Sequence, residues 1–183
     1  MKGNYKDVVN GVFKVIAVLF ISTSNAFTQG ISFPIPSGNP NQLFYLQRTT
    51  NSNTIICELN FKDSLIDKEN PVHVYWIRYE DKGQREELDF FQKKFAYGIK
   101  VKPIEENHYE MHFVSFKKMK MYLMKTEDEQ FKVFIDVNQK RLILHSIYID
   151  LIETKKVKPD IQFLEITGTD FVTKKLIKER LKL

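Results

Sequence analysis

Two arginines in this sequence close rows that are otherwise apolar. Phe44, Leu46 and Arg48 alternate along one segment, and Val72, Val74, Trp76 and Arg78 along another; period-two spacing of this kind puts side chains on one face of a β-strand. An arginine at the end of a core row needs a carboxylate, a phosphate or water beside it. If the two strands are neighbours, the guanidinium groups would grip a ligand's carboxylate or phosphate through paired hydrogen bonds, with Trp76 as an apolar wall. Arg48, Trp76 and Arg78 are therefore the candidate ligand-binding residues, and the partner they imply is an anionic small molecule. The alternative is internal pairing with Glu58, Glu80 or Asp89.

A second pattern is His108-Tyr109-Glu110-Met111-His112. In a strand, His108, Glu110 and His112 share a face and would converge on a cation if a further ligand joined them. The helical zinc motif has glutamate directly after the first histidine; this segment does not. Tyr109, Met111 and Phe113 form the opposite row, so a solvated strand face accounts for the same spacing, and no metal is expected. His73, Tyr75 and Tyr79 share the face opposite Trp76, which would suit stacking on a glycan or simply fill an interior. His145 alternates with Ile143, Ile147 and Ile149 and reads as a hydrogen-bonded interior histidine. Cys57, the single cysteine, alternates with Ile55, Leu59 and Phe61 and reads as a small core residue. The chain has no glycine loop for phosphate, no Gly-x-Ser-x-Gly elbow, no paired-cysteine zinc signature and no dinucleotide fingerprint, so no cofactor is expected and the enzyme reading weakens.

These residues must be positioned by short apolar and aromatic runs at near-even intervals, the pattern of a mainly β, antiparallel domain. Strands are expected near 43–49, 54–61, 72–80, 99–104, 108–116, 119–126, 130–137, 141–152 and 161–167. Phe131, Val133, Ile135 and Val137 alternate against Lys132 and Asp136, broken only by Phe134. Residues 72–79 and 142–149 are apolar on both parities and read as strands covered on two sides. Leu88, Phe91 and Phe95 recur at helical spacing, which predicts one α-helix near 85–96 held down by the two phenylalanines and stopped by a left-handed Gly98. Residues 171–183 fit either a helix or a hairpin arm, with the run Leu176-Ile177 favouring a strand.

Ahead of this domain, Lys2, Lys6 and Lys14 precede an apolar run from Val15 to Ile21 that ends in Ser24-Asn25-Ala26. That is the layout of a signal peptide, residues 1–26, and the run is too short for the roughly 20 apolar residues of a membrane span. Membrane contact is thus expected only before cleavage, and the protein is expected to be exported, periplasmic or extracellular. Residues 27–42, rich in Pro, Gly, Ser and Asn, read as an extended lead-in to a single domain over 43–183. The chain carries 28 basic and 23 acidic residues; without Lys2, Lys6, Lys14 and Asp7 the balance is close to neutral, which does not suggest nucleic acid.

The blocks Asn39-Pro40-Asn41-Gln42-Leu43-Phe44-Tyr45-Leu46-Gln47-Arg48, Asn53-Thr54-Ile55, Asn70-Pro71-Val72-His73-Val74-Tyr75-Trp76-Ile77-Arg78-Tyr79 and Phe95-Ala96-Tyr97-Gly98 resemble an uncharacterised bacterial family, domain of unknown function 4833. The resemblance covers nearly all of the chain past Phe33 and implies no activity, substrate or catalytic residue. The expected architecture is an antiparallel β-sandwich, or a barrel-like relative of it, with one packed helix. The expected role is a binding or envelope-associated module for an anionic small molecule, a glycan or an envelope component; a hydrolase of glycan or lipid is the runner-up.

Overall fold

The structure, a computed structural model, describes residues 33–152 and 160–182. The expected signal segment, residues 1–26, lies outside them. Thirteen strands are described: β1 (Gln42–Arg48), β2 (Asn51–Leu59), β3 (Phe61–Lys62), β4 (Leu65–Ile66), β5 (Val72–Arg78), β6 (Gln84–Glu87), β7 (Ile99–Glu105), β8 (His108–Phe113), β9 (Phe116–Lys125), β10 (Phe131–Val137), β11 (Lys140–Ile152), β12 (Asp160–Asp170) and β13 (Leu176–Leu181). A 3-10 turn spans Tyr79–Asp81, and the one α-helix, α1, spans Phe90–Phe95.

Eleven strands form one sheet in the order β6-β5-β2-β1-β11-β10-β9-β8-β7, with β12 and β13 branching from β11; β3 and β4 make a small separate hairpin. The branch exists because β11 is thirteen residues long. Its first half pairs with β10 and its second half with β1, while β12 follows its other edge throughout. The β1–β11 pairing, Tyr45–Arg48 against Ser146–Ile149, is parallel and makes the sheet mixed; the other described pairings are antiparallel. The sheet curls on itself. Phe44 of β1 meets Phe113 of β8 edge to face at 6.1 Å although three strands separate β1 from β8 along the sheet. The core therefore fills the inside of a single curled sheet, between the sandwich and the barrel-like alternatives that the strand pattern allows.

Alternation decides which side chains enter that core. Phe44 and Leu46, Ile55 and Cys57, Val74 and Trp76, and Tyr109, Met111 and Phe113 are all buried in it, and burial pushes the Cys57 thiol well up, as suits an unreactive core residue. The lead-in covers the outer face of β1 and β2: Gln47 Nε2 donates to the Pro34 carbonyl at 2.8 Å, and Phe33 packs on Tyr148 at 5.6 Å. Ile56 and Tyr75, whose side chains face away from the core, are buried as well, Tyr75 beneath Arg85. Phe134, which breaks the alternation of β10, points outward and is capped edge to face by Phe171 at 5.7 Å. The C-terminal segment is a strand, as its apolar run suggested. Its turn is built by Asp170, whose carboxylate accepts from the Val172 and Thr173 amides. Gly168 is obligatory beside it, because a Cβ there would lie 2.6 Å from the Ile143 carbonyl oxygen.

The helix departs from expectation. Residues 84–87 pair with β5 as a strand, and α1 is only six residues long, started by a capping box between Asp89 and Gln92. Leu88 is buried, but Phe90, Phe91 and Phe95 are 65, 70 and 61 % exposed, so the phenylalanines do not hold the helix down. The spacing was helical without facing a core. Gly98 is also needed for a different reason: it has no left-handed φ, but a Cβ on it would fall 1.9 Å from the Lys93 carbonyl oxygen. His145 is another correction, since it lies on the outer, exposed side of β11 and bonds Thr169 Oγ1 at 2.7 Å.

Candidate functional site

The register carries the two arginine rows to one place. Leu46 pairs with Ile55 and Ile55 with Trp76, so β2 lies between the arginine-bearing strands; they are next-but-one, not adjacent. Even so, both guanidinium carbons lie over the same indole, Arg48 at 5.0 Å and Arg78 at 5.5 Å from the Trp76 ring centre. Trp76 itself is buried, and Tyr97 meets it edge to face at 5.3 Å. Two cations sharing one aromatic ring gain its quadrupole but repel each other, an arrangement that favours an anion between or beside them.

The surrounding residues fix this cluster. Trp76 Nε1 donates to Gln92 Oε1 at 3.2 Å, and the same oxygen closes the capping box of α1, so the helix is tied to the indole through a polar bond. Arg48 Nη1 donates to the Tyr97 hydroxyl at 2.6 Å. Arg78 Nε donates to Glu86 at 2.7 Å, and that hydrogen bond raises the Arg78 pKa. Asn53 is buried and holds the 3-10 turn by bonding both the Glu80 amide and its carboxylate.

Arg48 is the anomaly. The carboxylates that sequence offered as its partners are committed elsewhere: Glu58 to His73 and Arg85, Glu80 to Asn53, and Asp89 to the helix cap. Among the described residues, Arg78, Arg85, Arg141 and Arg180 each have a carboxylate within 3.0 Å, and Arg48 has none within reach. Its Nε is buried without a hydrogen-bond partner, and so is Oδ1 of Asn51, its register partner across the β1–β2 turn. A buried donor and a buried acceptor left open at one turn are costly, at about 1–3 kcal/mol each, and rare in native structures.

The opposite face of the same strands carries a polar cluster of the contrary kind. Glu58 accepts from His73 Nδ1 and Arg85 Nη2, both at 3.0 Å, and from Asn39 Nδ2. Burial alone would raise the Glu58 carboxyl; the bonds from His73 and Asn39 and the charge of Arg85 outweigh it and hold the group below its ordinary value. His73 and Tyr75 stack at 5.6 Å, and Arg85 covers the Tyr75 ring at 3.6 Å, so two of the three rings offered as a glycan platform are engaged with each other and with Arg85.

The strand β8 does place His108, Glu110 and His112 on one face, but they do not meet. Glu110 is paired with Lys120 at 3.1 Å, His108 leans on Tyr122, and among the described residues no group of three or more metal-ligating side chains gathers. Sequence reasoning missed Tyr97, Gln92 and Asn51 as members of the arginine cluster. Tyr97 had a signal, because it stands in the block Phe95-Ala96-Tyr97-Gly98 that carried the family resemblance.

No curated protein and no solved structure matches this chain. A family model, described as a domain of unknown function, matches residues 44–180, a span from the first core residue of β1 almost to the end of β13. That span contains Arg48, Trp76, Arg78 and Tyr97, and the chain belongs to the DUF4833 family.

Proposed function

We propose that this protein is an exported, envelope-associated binding module that takes an anionic ligand at the Arg48–Trp76–Arg78 cluster. The observation that carries the reading is the half-buried Arg48, stacked on Trp76, with no carboxylate partner among the described residues and an unfilled Nε. A guanidinium in that state gains most from a planar or tetrahedral oxyanion, which offers it two acceptors at once. Hydrolysis gains no support from the hollow of about 500 Å³ beside Leu43, Leu59 and Phe131, whose charged and histidine side chains are already partnered. Its Glu129 pairs with Lys125, its Lys132 with Asp128, and its His145 with Thr169.

Trp76 is the only tryptophan in the chain, so its fluorescence reports on this cluster directly. Titration with inorganic phosphate, acetate and glucuronate is expected to change that signal in the native protein and not in Arg48→Ala, with the thermal midpoint nearly unchanged. Equal responses in the two proteins, or none in either, would defeat the reading. Export rests on the layout of residues 1–26 and is tested by N-terminal sequencing of the protein from cell fractions. A start near Phe27 outside the cytoplasm is expected, and an intact precursor in the cytosol would overturn it.

A further inference from the structure

We infer that the ligand of the Arg48 cluster is an amphiphile: a carboxylate held by Arg48 that carries a short apolar chain into the cavity between β1, β9, β11 and β12. This rests on the anion-binding reading above and adds the chemical class of the rest of the molecule.

The cavity holds about 110 Å³, and its wall comes from Leu46, Phe113, Met119, Ile147, Leu164 and their apolar neighbours. Only two of its lining residues carry a polar side chain, Ser115 and Tyr97. Both are satisfied: Ser115 Oγ donates to the Ala96 carbonyl at 2.6 Å, and the Tyr97 hydroxyl accepts from Arg48. Water in such a space would find few of the two to four polar partners it needs, whereas an alkyl group would lie against largely apolar walls. An engineered cavity of about 150 Å³ is known to take benzene, so this one suits a group of about four carbons.

Three residues tie the cavity to the arginine. Tyr97 lines it and bonds Arg48. Leu46 lines it and stands two residues before Arg48 on the same face of β1, about 7 Å along the strand. Ile149 lines it and is Arg48's register partner on β11. The head group follows from what Arg48 has left to offer. Nη1 is engaged by Tyr97, and Nε, which shares an edge with Nη2, is buried without a hydrogen-bond partner. Two parallel N–H groups on one edge match the two oxygens of a carboxylate.

The test is a Trp76 fluorescence titration of the full protein with the straight-chain carboxylates from acetate to octanoate, alongside 1-octanol. Affinity is expected to rise about fourfold for each methylene that enters the cavity and then level off. Arg48→Ala is expected to lose the response to every member. Ala96→Leu, which puts bulk into the cavity wall, is expected to keep the acetate response and lose the gain with chain length; Ser115→Leu does the same should Ala96→Leu fail to fold. A flat series with an Arg48-dependent acetate response would leave the anion site standing and overturn the amphiphile. No response to any carboxylate or to phosphate would overturn both. A chain-length gain that survives both filling variants, or 1-octanol binding as tightly as octanoate, would also overturn this inference.

Discussion

The two faces of the β2–β5 pair hold polar clusters built from the same kinds of residue with opposite outcomes. On the outer face Glu58 collects bonds from His73, Asn39 and Arg85, and every charge there has a partner. On the inner face Arg48 and Arg78 share one indole, only Arg78 has a carboxylate, and Arg48 and Asn51 each keep a buried polar atom open at one turn. The first arrangement is what stability alone produces, since a satisfied network in low dielectric strengthens itself. The second forgoes that stability, and this is the observation behind the ligand site proposed at Arg48.

The contrast is tested first by truncation. Glu58→Ala removes one acceptor from three donors and should lower unfolding free energy by about 2–3 kcal/mol, read from urea denaturation. A loss near zero would show that the outer cluster is no more structural than the inner one. The same carboxyl sets a pH window. Because the fold holds it below its ordinary value of 4.5, its contribution is complete above that pH and is lost as pH falls through the lower, folded value. Glu58→Gln should therefore flatten part of the acid limb of the stability profile; the part left belongs to carboxyls such as Glu165, which Lys178 and Arg180 also lower against burial. Arg48→Met keeps the packing on Trp76 and removes the unpaired charge, so its unfolding free energy should change by less than about 1 kcal/mol. A loss as large as that of Glu58→Ala would make Arg48 structural. Smallest is Glu86→Gln: an exposed partner contributes under about 1 kcal/mol, so stability should barely move while the freed Arg78 tightens anion binding severalfold in the fluorescence titration.

How far these clusters could be read in advance depends on what alternation encodes. It placed Phe44, Leu46 and Arg48 on one face and Val74, Trp76 and Arg78 on another, and both rows are found as read. It could not show that β2 lies between them, because that depends on the turn at Asn51 and on pairing with a distant β11. The helix fared worse for a related reason. Leu88, Phe91 and Phe95 have the right spacing, but periodicity says which side chains share a side and not whether that side meets a core; here it mostly meets solvent. Residues 84–87 then joined β5 as a strand, where sheet pairing overrode a weak local preference.

The sequence by itself determined that the domain is mainly β, which rows point inward and that Cys57 is buried, because each follows from local alternation; it left residues 171–183 open between helix and strand and did not show β3, β4 or β6. Tertiary structure alone decided that the sheet curls until Phe44 meets Phe113, that Glu58, Glu80 and Asp89 are spent on other partners, and that Arg48 is left with Tyr97 and an indole. Partner choice among charges is set by register between strands far apart in the chain, and no local pattern carries that information.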